Sequence, residues 1–221
     1  MATLSPIEIK EALVDVRKAH RLLFEYQRRI MDVMYFVQDK LRFPSNLTGN
    51  RLFFDPIRYV RSSYGQFNVH EIWAWDFIYS YIFEFYLGSK TCKKEGRSFR
   101  CDLSVVEVSD TGYLESRELN KDFRETNSYL SPESASSVLI FMVQTKPEEV
   151  EENIWQDRFY VRCKVEEMFT DKKNELVEEK GDIVFCAKKY YISDFFNQRN
   201  AETTVQEFIE LVKRNTGVEM V

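Results

Sequence analysis

Seven consecutive odd-numbered residues, Trp73, Trp75, Phe77, Tyr79, Tyr81, Phe83 and Phe85, are all aromatic, and Ala74, Asp76, Ile78, Ser80, Ile82 and Glu84 lie between them. A two-residue period belongs to a β-strand, whose successive side chains point to opposite faces. Read as a helix, the same stretch would align Asp76, Ser80 and Glu84 in one polar stripe, because residues four apart share a helix face. On that helix Trp73, Phe77 and Tyr81 would crowd the polar edge, and aromatic enrichment itself favours a strand. The alternation therefore predicts a strand with one aromatic face, buried as the centre of a sheet. Such a strand is long for a globular protein, so a bend or bulge is expected along it.

A second long pattern occupies the first 43 residues. Ser5-Pro6-Ile7-Glu8 reads as a capping box with proline at the first helical position. No glycine or proline follows until Pro44, which is expected to end the helix near Arg42 or Phe43. Ile9, Leu13, Val16, His20, Leu23, Gln27, Ile30, Met34, Val37 and Leu41 are spaced by alternating steps of four and three. That is a heptad seam with polar insertions at His20 and Gln27. Ala12, Ala19, Tyr26 and Val33 widen the stripe, so docking on a broad surface is the alternative to pairing with another helix. The division expected is a helical assembly element over 1–43 and an α+β body over 51–221.

Within the body, a polar loop at 46–50 leads to an apolar stretch over 51–60 broken by Asp55-Pro56, and then to a turn region before the aromatic strand. After Gly88 the sequence predicts a polar loop and a strand, Phe99–Val108, that pairs back on the aromatic one as a hairpin. Val138–Gln144 reads as a buried strand and Pro147–Trp155 as a short helix, while 114–127 carries no clear pattern. Arg158–Phe169 and Asp182–Ile192 read as the two strands of a second hairpin around a charged turn. The last element is a helix capped by Thr203 or Thr204. Val205, Phe208, Ile209 and Val212 form its apolar face, Lys213 and Arg214 fill its last turn, and Gly217 follows. The fold class expected is α+β: a long N-terminal helix, a mainly antiparallel sheet with an aromatic-rich central strand, and a C-terminal helix packed on the sheet.

The bulk properties narrow the function classes. An apolar fraction of 44% with 18 Phe is ample for a core, and only 7 Gly and 5 Pro among 221 residues argue against long linkers. A net charge of −5 gives no global attraction to nucleic acid or to an anionic membrane. No apolar run approaches a membrane-spanning length, and the opening Met-Ala-Thr-Leu-Ser-Pro has no basic region followed by an apolar one, so a cytoplasmic location is expected. The Asn46-Leu47-Thr48 sequon then reads as unused. Cys92, Cys101, Cys163 and Cys186 lack close pairing and read as reduced thiols without a metal.

Candidate chemistry is sparse. Asp110-Thr111-Gly112 has the form of the aspartic-protease triplet, which needs two facing aspartates sharing a proton. Ser109 before it and Tyr113 after it depart from that pattern, and the triplet reads as a turn. A metal-dependent nuclease would draw on converging strand carboxylates, with Asp76, Glu84, Asp102 and Glu107 as candidates and Asp171…Glu178-Glu179-Lys180 as a formal match in a charged turn. Histidine is limited to His20, on the helix seam, and His70, which has no motif partner. No GxxxxGK[ST], GxGxxG or GxSxG occurs. Lys93, Lys94, Arg97 and Arg100 make a basic patch suited to an anion or an acidic partner, with a solvated hairpin tip as the plain alternative. The function expected is that of a non-catalytic assembly protein without cofactor or metal. It would associate with itself or a protein partner through Leu13, Val16, His20, Leu23, Gln27, Ile30, Met34 and Val37. A metal-dependent, nuclease-like hydrolase using strand carboxylates is the rival.

Overall fold

The structure is a computed structural model that describes residues 5–44, 48–50, 82–112, 114, 129–150 and 158–220. Helix α1 runs from Pro6 to Lys40 and is followed by the short strand β1, Thr48–Asn50. Strands β2 (Ile82–Lys94), β3 (Arg97–Val108) and β4 (Val138–Pro147) come next, then helix α2 (Arg158–Thr170). Strands β5 (Glu175–Lys180) and β6 (Ile183–Tyr191), a 3₁₀ turn at Ile192–Phe195 and helix α3 (Gln198–Thr216) complete the order. The strands form one antiparallel sheet in the order β1-β2-β3-β4-β6-β5.

Each face of the sheet has its own core. On one face Phe85, Leu87, Cys101, Leu103, Val105, Leu139, Phe141, Val143 and Tyr190 pack against the second half of α1, the 3₁₀ turn and α3. On the other, Val106, Val108, Ile140, Met142, Phe185 and Ala187 meet Val161, Val165, Met168 and Phe169 of α2. The class is therefore α+β with the C-terminal helix on the sheet. Because Ile30, Met34, Val37 and Leu41 of α1 belong to the first core, α1 and the sheet share one hydrophobic interior.

Of the aromatic alternation, Phe83 and Phe85 fall in β2, with ring centroids 4.7 Å apart, and residues 73–81 lie outside the described residues. Phe85 is buried under the helices, as the alternation predicts. The expected irregularity occurs just past the ladder, where the β2–β3 register shifts between Tyr86 and Gly88. Gly88 has φ of +109°, and a Cβ there would stand 3.3 Å from Pro44 Cγ. One extra residue reverses the parity of the strand. Odd-numbered Phe85 and Leu87 and even-numbered Cys92 consequently face the same core.

Three local expectations are corrected. The segment after Gly88 is not a loop: β2 and β3 continue to a two-residue turn, Glu95-Gly96, whose positive φ values of 50° and 82° match a type I′ hairpin. Arg158–Phe169 is a helix, and the hairpin partner of β6 is β5. Val161 and Val165 satisfy both a two-residue and a four-residue spacing, and burial of Met168 and Phe169 completes a helical face. Helix α3 starts before Thr203, because the Asn197 side chain accepts a 2.9 Å bond from Asn200 N and caps it. Its C-terminus follows the expectation, with Lys213 and Arg214 in the last turn and Gly217 left-handed at φ 70°. The short helix expected at Pro147–Trp155 gives way to strand at Pro147 and a turn at Glu148 and Glu149, with 151–157 outside the described residues.

The predicted capping box on α1 is present, with Glu8 N donating to Ser5 Oγ and Ser5 N to Glu8. The helix ends a little before Arg42. Arg42 N donates to Asp39 O and Phe43 N to Gln38 O, both at 3.0 Å, with Arg42 at a positive φ of 51°. This paired closure satisfies the last carbonyls without a glycine.

Candidate functional site

The apolar seam of α1 is partly docked on the sheet and partly exposed. Every residue from Ser5 to Glu25 is exposed, and burial begins only at Tyr26 and Gln27. At 1.5 Å per residue the open part, Pro6 to Glu25, is roughly 30 Å long. Ile9, Leu13, Val16 and Leu23 all present their seam side chains to solvent, Leu13 at 51% exposure, and His20 lies exposed among them. Phe24, at 66% exposure, stands beside that line. Ile30, Met34 and Val37, read from the sequence as part of the same interface, lie instead in the core against the sheet. The reason is continuity: the face that docks on the sheet is the same face that continues into solvent.

Glu107 marks the boundary. Its position on β3, between the buried Val106 and Val108, turns its carboxyl toward α1 rather than α2. Ser109 Oγ donates to Glu107 Oε1 at 3.0 Å, and Gln27 Nε2 reaches the same oxygen at 3.4 Å. The carboxyl is fully buried and its Oε2 has no hydrogen-bond partner among the described residues. Burial raises its pKa, opposed in part by the Tyr26 hydroxyl, Ser109 and Gln27. Glu107 thus meets the helix at the point where its burial begins. The sequence signal was a lone acid in an apolar strand, but nothing in it named Tyr26 and Gln27 as partners.

A second anchor, missed from sequence, is Lys90. Its ammonium donates to the carbonyls of Leu41 and Met220 and lies 4.6 Å from the centre of the Phe43 ring. Desolvation lowers its pKa. One cation thus ties the end of α1 to the segment after α3.

The basic patch sits at the β2–β3 hairpin tip, and its members have partners. Arg97 pairs with exposed Glu149 at 2.9 Å, Lys93 donates to Ser98 Oγ at 2.9 Å, and Lys94 lies over the Phe99 ring. Arg100 holds Asp102 through both Nε and Nη2.

The strand carboxylates separate. Glu84 and Asp102 face the α2 side, where Glu84 accepts from Ser104 at 2.8 Å and Asp102 accepts from Tyr86 and Arg100. Burial and then the Asp102 bond raise the Tyr86 pKa, and the Asp102 bond raises that of Arg100. Glu107 lies on the opposite face of the sheet, and Asp76 is outside the described residues. Among the described residues no group of three His, Cys, Asp or Glu side chains is placed to hold a metal ion. Asp110 accepts from Gly112 N at 2.8 Å, the bond of an ordinary turn. No described helix is long and apolar enough to cross a membrane.

No curated protein and no solved structure matches the chain. A family model does, over residues 7–217, from the second residue of α1 to the glycine that closes α3, and the chain belongs to the PM0109 family.

Proposed function

We propose that this protein is an assembly element rather than a catalyst, and that it binds another protein chain through the open face of α1. One observation supports the reading above the rest: five turns of a capped helix carry a regular apolar seam into solvent, while the continuation of that seam is core. Removing a leucine-sized side chain from water contributes about 1.5–3 kcal/mol. Several aligned on one stripe make a large unpartnered incentive for a second helix, and isolated helices gain most of their stability from such packing. The hydrolase reading draws no comparable support, since Glu107 lies on the face of the sheet opposite Glu84 and Asp102, and the three are held by Ser, Tyr, Arg and Gln.

Purification under native conditions, with mass measurement of the particle, tests the reading against the double variant Leu13→Glu/Leu23→Glu. Wild type should run as a complex and the variant as a folded, unassociated chain. A wild-type particle whose mass and composition are unchanged by the substitutions would remove the seam from the account.

A further inference from the structure

The β2–β3 hairpin brings two of the four cysteines together. Its register sets Lys90 opposite Cys101 and Cys92 opposite Phe99. Residues two apart on a strand share a face, so Cys92 and Cys101 are diagonal neighbours on one side of the sheet, and both lie in the core that α1 and α3 complete. Diagonal partners stand roughly 7–8 Å apart at Cα and less at Cβ, at the long end of what a disulfide spans. The Cys101 thiol hydrogen-bonds to the Cys92 sulfur, so both side chains lean into that gap. The other thiols are placed differently. Cys186 has strand β4 between it and Cys101, and Cys163 lies on α2, across the sheet.

We propose that Cys92 and Cys101 form an oxidisable pair, which a hydroperoxide converts into a cross-strand disulfide with Cys92 as the attacking sulfur and Cys101 as the resolving one. The division of roles follows from their surroundings. The bond from Cys101 and the nearby Lys90 ammonium, acting against burial, hold the Cys92 thiol below its ordinary pKa, while the same bond and burial push Cys101 up. In the first step the Cys92 thiolate attacks one peroxide oxygen, the O–O bond breaks, and the departing hydroxide takes up a proton as water. Cys92 is left as a sulfenic acid. In the second the Cys101 sulfur attacks the Cys92 sulfur, the S–O bond breaks, and hydroxide leaves with the Cys101 proton as a second water. Two thiols and one peroxide thus give one disulfide and two waters, two electrons passing from the sulfurs to the peroxide.

Access is from the hairpin tip. Cys92 lies two residue pairs behind the closing pair of the turn, Lys94 with Arg97, and strand ends are where a sheet opens most readily. Hydrogen peroxide is scarcely larger than water and needs less opening than a bulky thiol reagent. The bridge joins strands that already pair, so the fold is kept, and a disulfide at the long end of its span is readily opened by a thiol reductant. No residue of the open seam takes part, so the inference stands apart from the assembly reading.

The native full chain, treated with hydrogen peroxide and mapped by mass spectrometry of its unreduced peptides, tests the proposal. Wild type should lose two of its four thiols and yield a linked Cys92–Cys101 peptide, both reversed by dithiothreitol. Cys101→Ser should stop at a sulfenic acid on Cys92, trapped by dimedone, and Cys92→Ser should leave Cys101 reduced. Circular dichroism checks that each variant is folded, and the wild-type map stands without them. Cys92 and Cys101 both still reduced once Cys163 is oxidised, or linkage that appears only after denaturation, would overturn the pair. Sulfenic acid on Cys101 in Cys92→Ser, as readily as on Cys92 in Cys101→Ser, would overturn the division of roles.

Discussion

Leu23 and Ile30 occupy the same face of α1 one heptad apart, yet Leu23 is 43% exposed and Ile30 only 1%. The change falls at Tyr26 and Gln27, where Glu107 of β3 meets the helix. One continuous stripe thus has two fates, with no break in its pattern between them.

Truncation at the two positions should separate stability from association. Ile30→Ala should cost about 2–4 kcal/mol by leaving a cavity under the sheet, lowering the melting temperature by about 4–15 °C for a chain of this size. Leu23→Ala should move the melting point of the dissociated chain by less than about 0.5 kcal/mol in equivalent stability, while weakening association. Thermal unfolding at low protein concentration checks both. A Leu23 variant that melts as early as the Ile30 variant would place Leu23 in the core.

Glu107 should give stability a distinct pH dependence. Burial raises its folded-state pKa above the ordinary 4.5, so the folded chain holds the proton more tightly than the unfolded one. Its contribution is fully present below the unfolded value and is lost as pH rises from there through the folded value. The groups facing it are the Tyr26 hydroxyl, the Gln27 amide and the Ser109 hydroxyl, with Phe83 and Leu139 opposite it on the neighbouring strands. Glu107→Gln keeps the shape without the titration. Urea melts across pH should show a fall in wild-type stability above pH 4.5 that is reduced in the variant. A variant as pH-sensitive as wild type would locate the dependence elsewhere.

The two arginines of the hairpin should behave unequally. Asp102 is buried and relies on Arg100 and Tyr86, so Arg100→Ala should cost about 3 kcal/mol by leaving a charge without its cation. Arg97 and Glu149 are both exposed, and Arg97→Ala should cost no more than about 0.5 kcal/mol. Chemical denaturation of the single variants measures both. Equal effects would contradict the pairing.

Much of this architecture was legible in local patterns. Ser5 and Glu8 announced the start of α1, Lys213, Arg214 and Gly217 the end of α3, and Val138–Gln144 a buried strand, because each rests on bonds or burial within a few residues. Misreadings came where two periods coincide, as at Val161 and Val165, or where charge disguised a strand, as from Ser89 to Arg100. The seam itself was visible, but its division between Leu23 and Ile30 was not. That boundary depends on tertiary packing, and heptad spacing is the same on either side of it. For the same reason the Gln27–Glu107 contact, spanning 80 residues, left no local trace.

The thiols offer a further check. Cys101 and Cys186 are buried; hydrogen bonding to Cys92 and burial push Cys101 up, and burial pushes Cys186 up to about 12. Both should stay protonated and resist a thiol reagent at pH 8 in the native state, with the half-buried Cys163 reacting sooner. All four thiols should react after denaturation. Rapid native labelling of Cys101 would mean that β2 and β3 open beneath α1.

Hydrogen exchange along α1, compared between the natively purified particle and the dissociated chain, tests the central claim most directly. Amides from Met34 to Lys40 pack against the sheet and should be protected in both. Those from Leu13 to Leu23 should exchange quickly in the dissociated chain and roughly tenfold or more slowly in the particle. Rapid exchange over Leu13–Leu23 in both, or protection there that is already complete in the dissociated chain, would contradict the account.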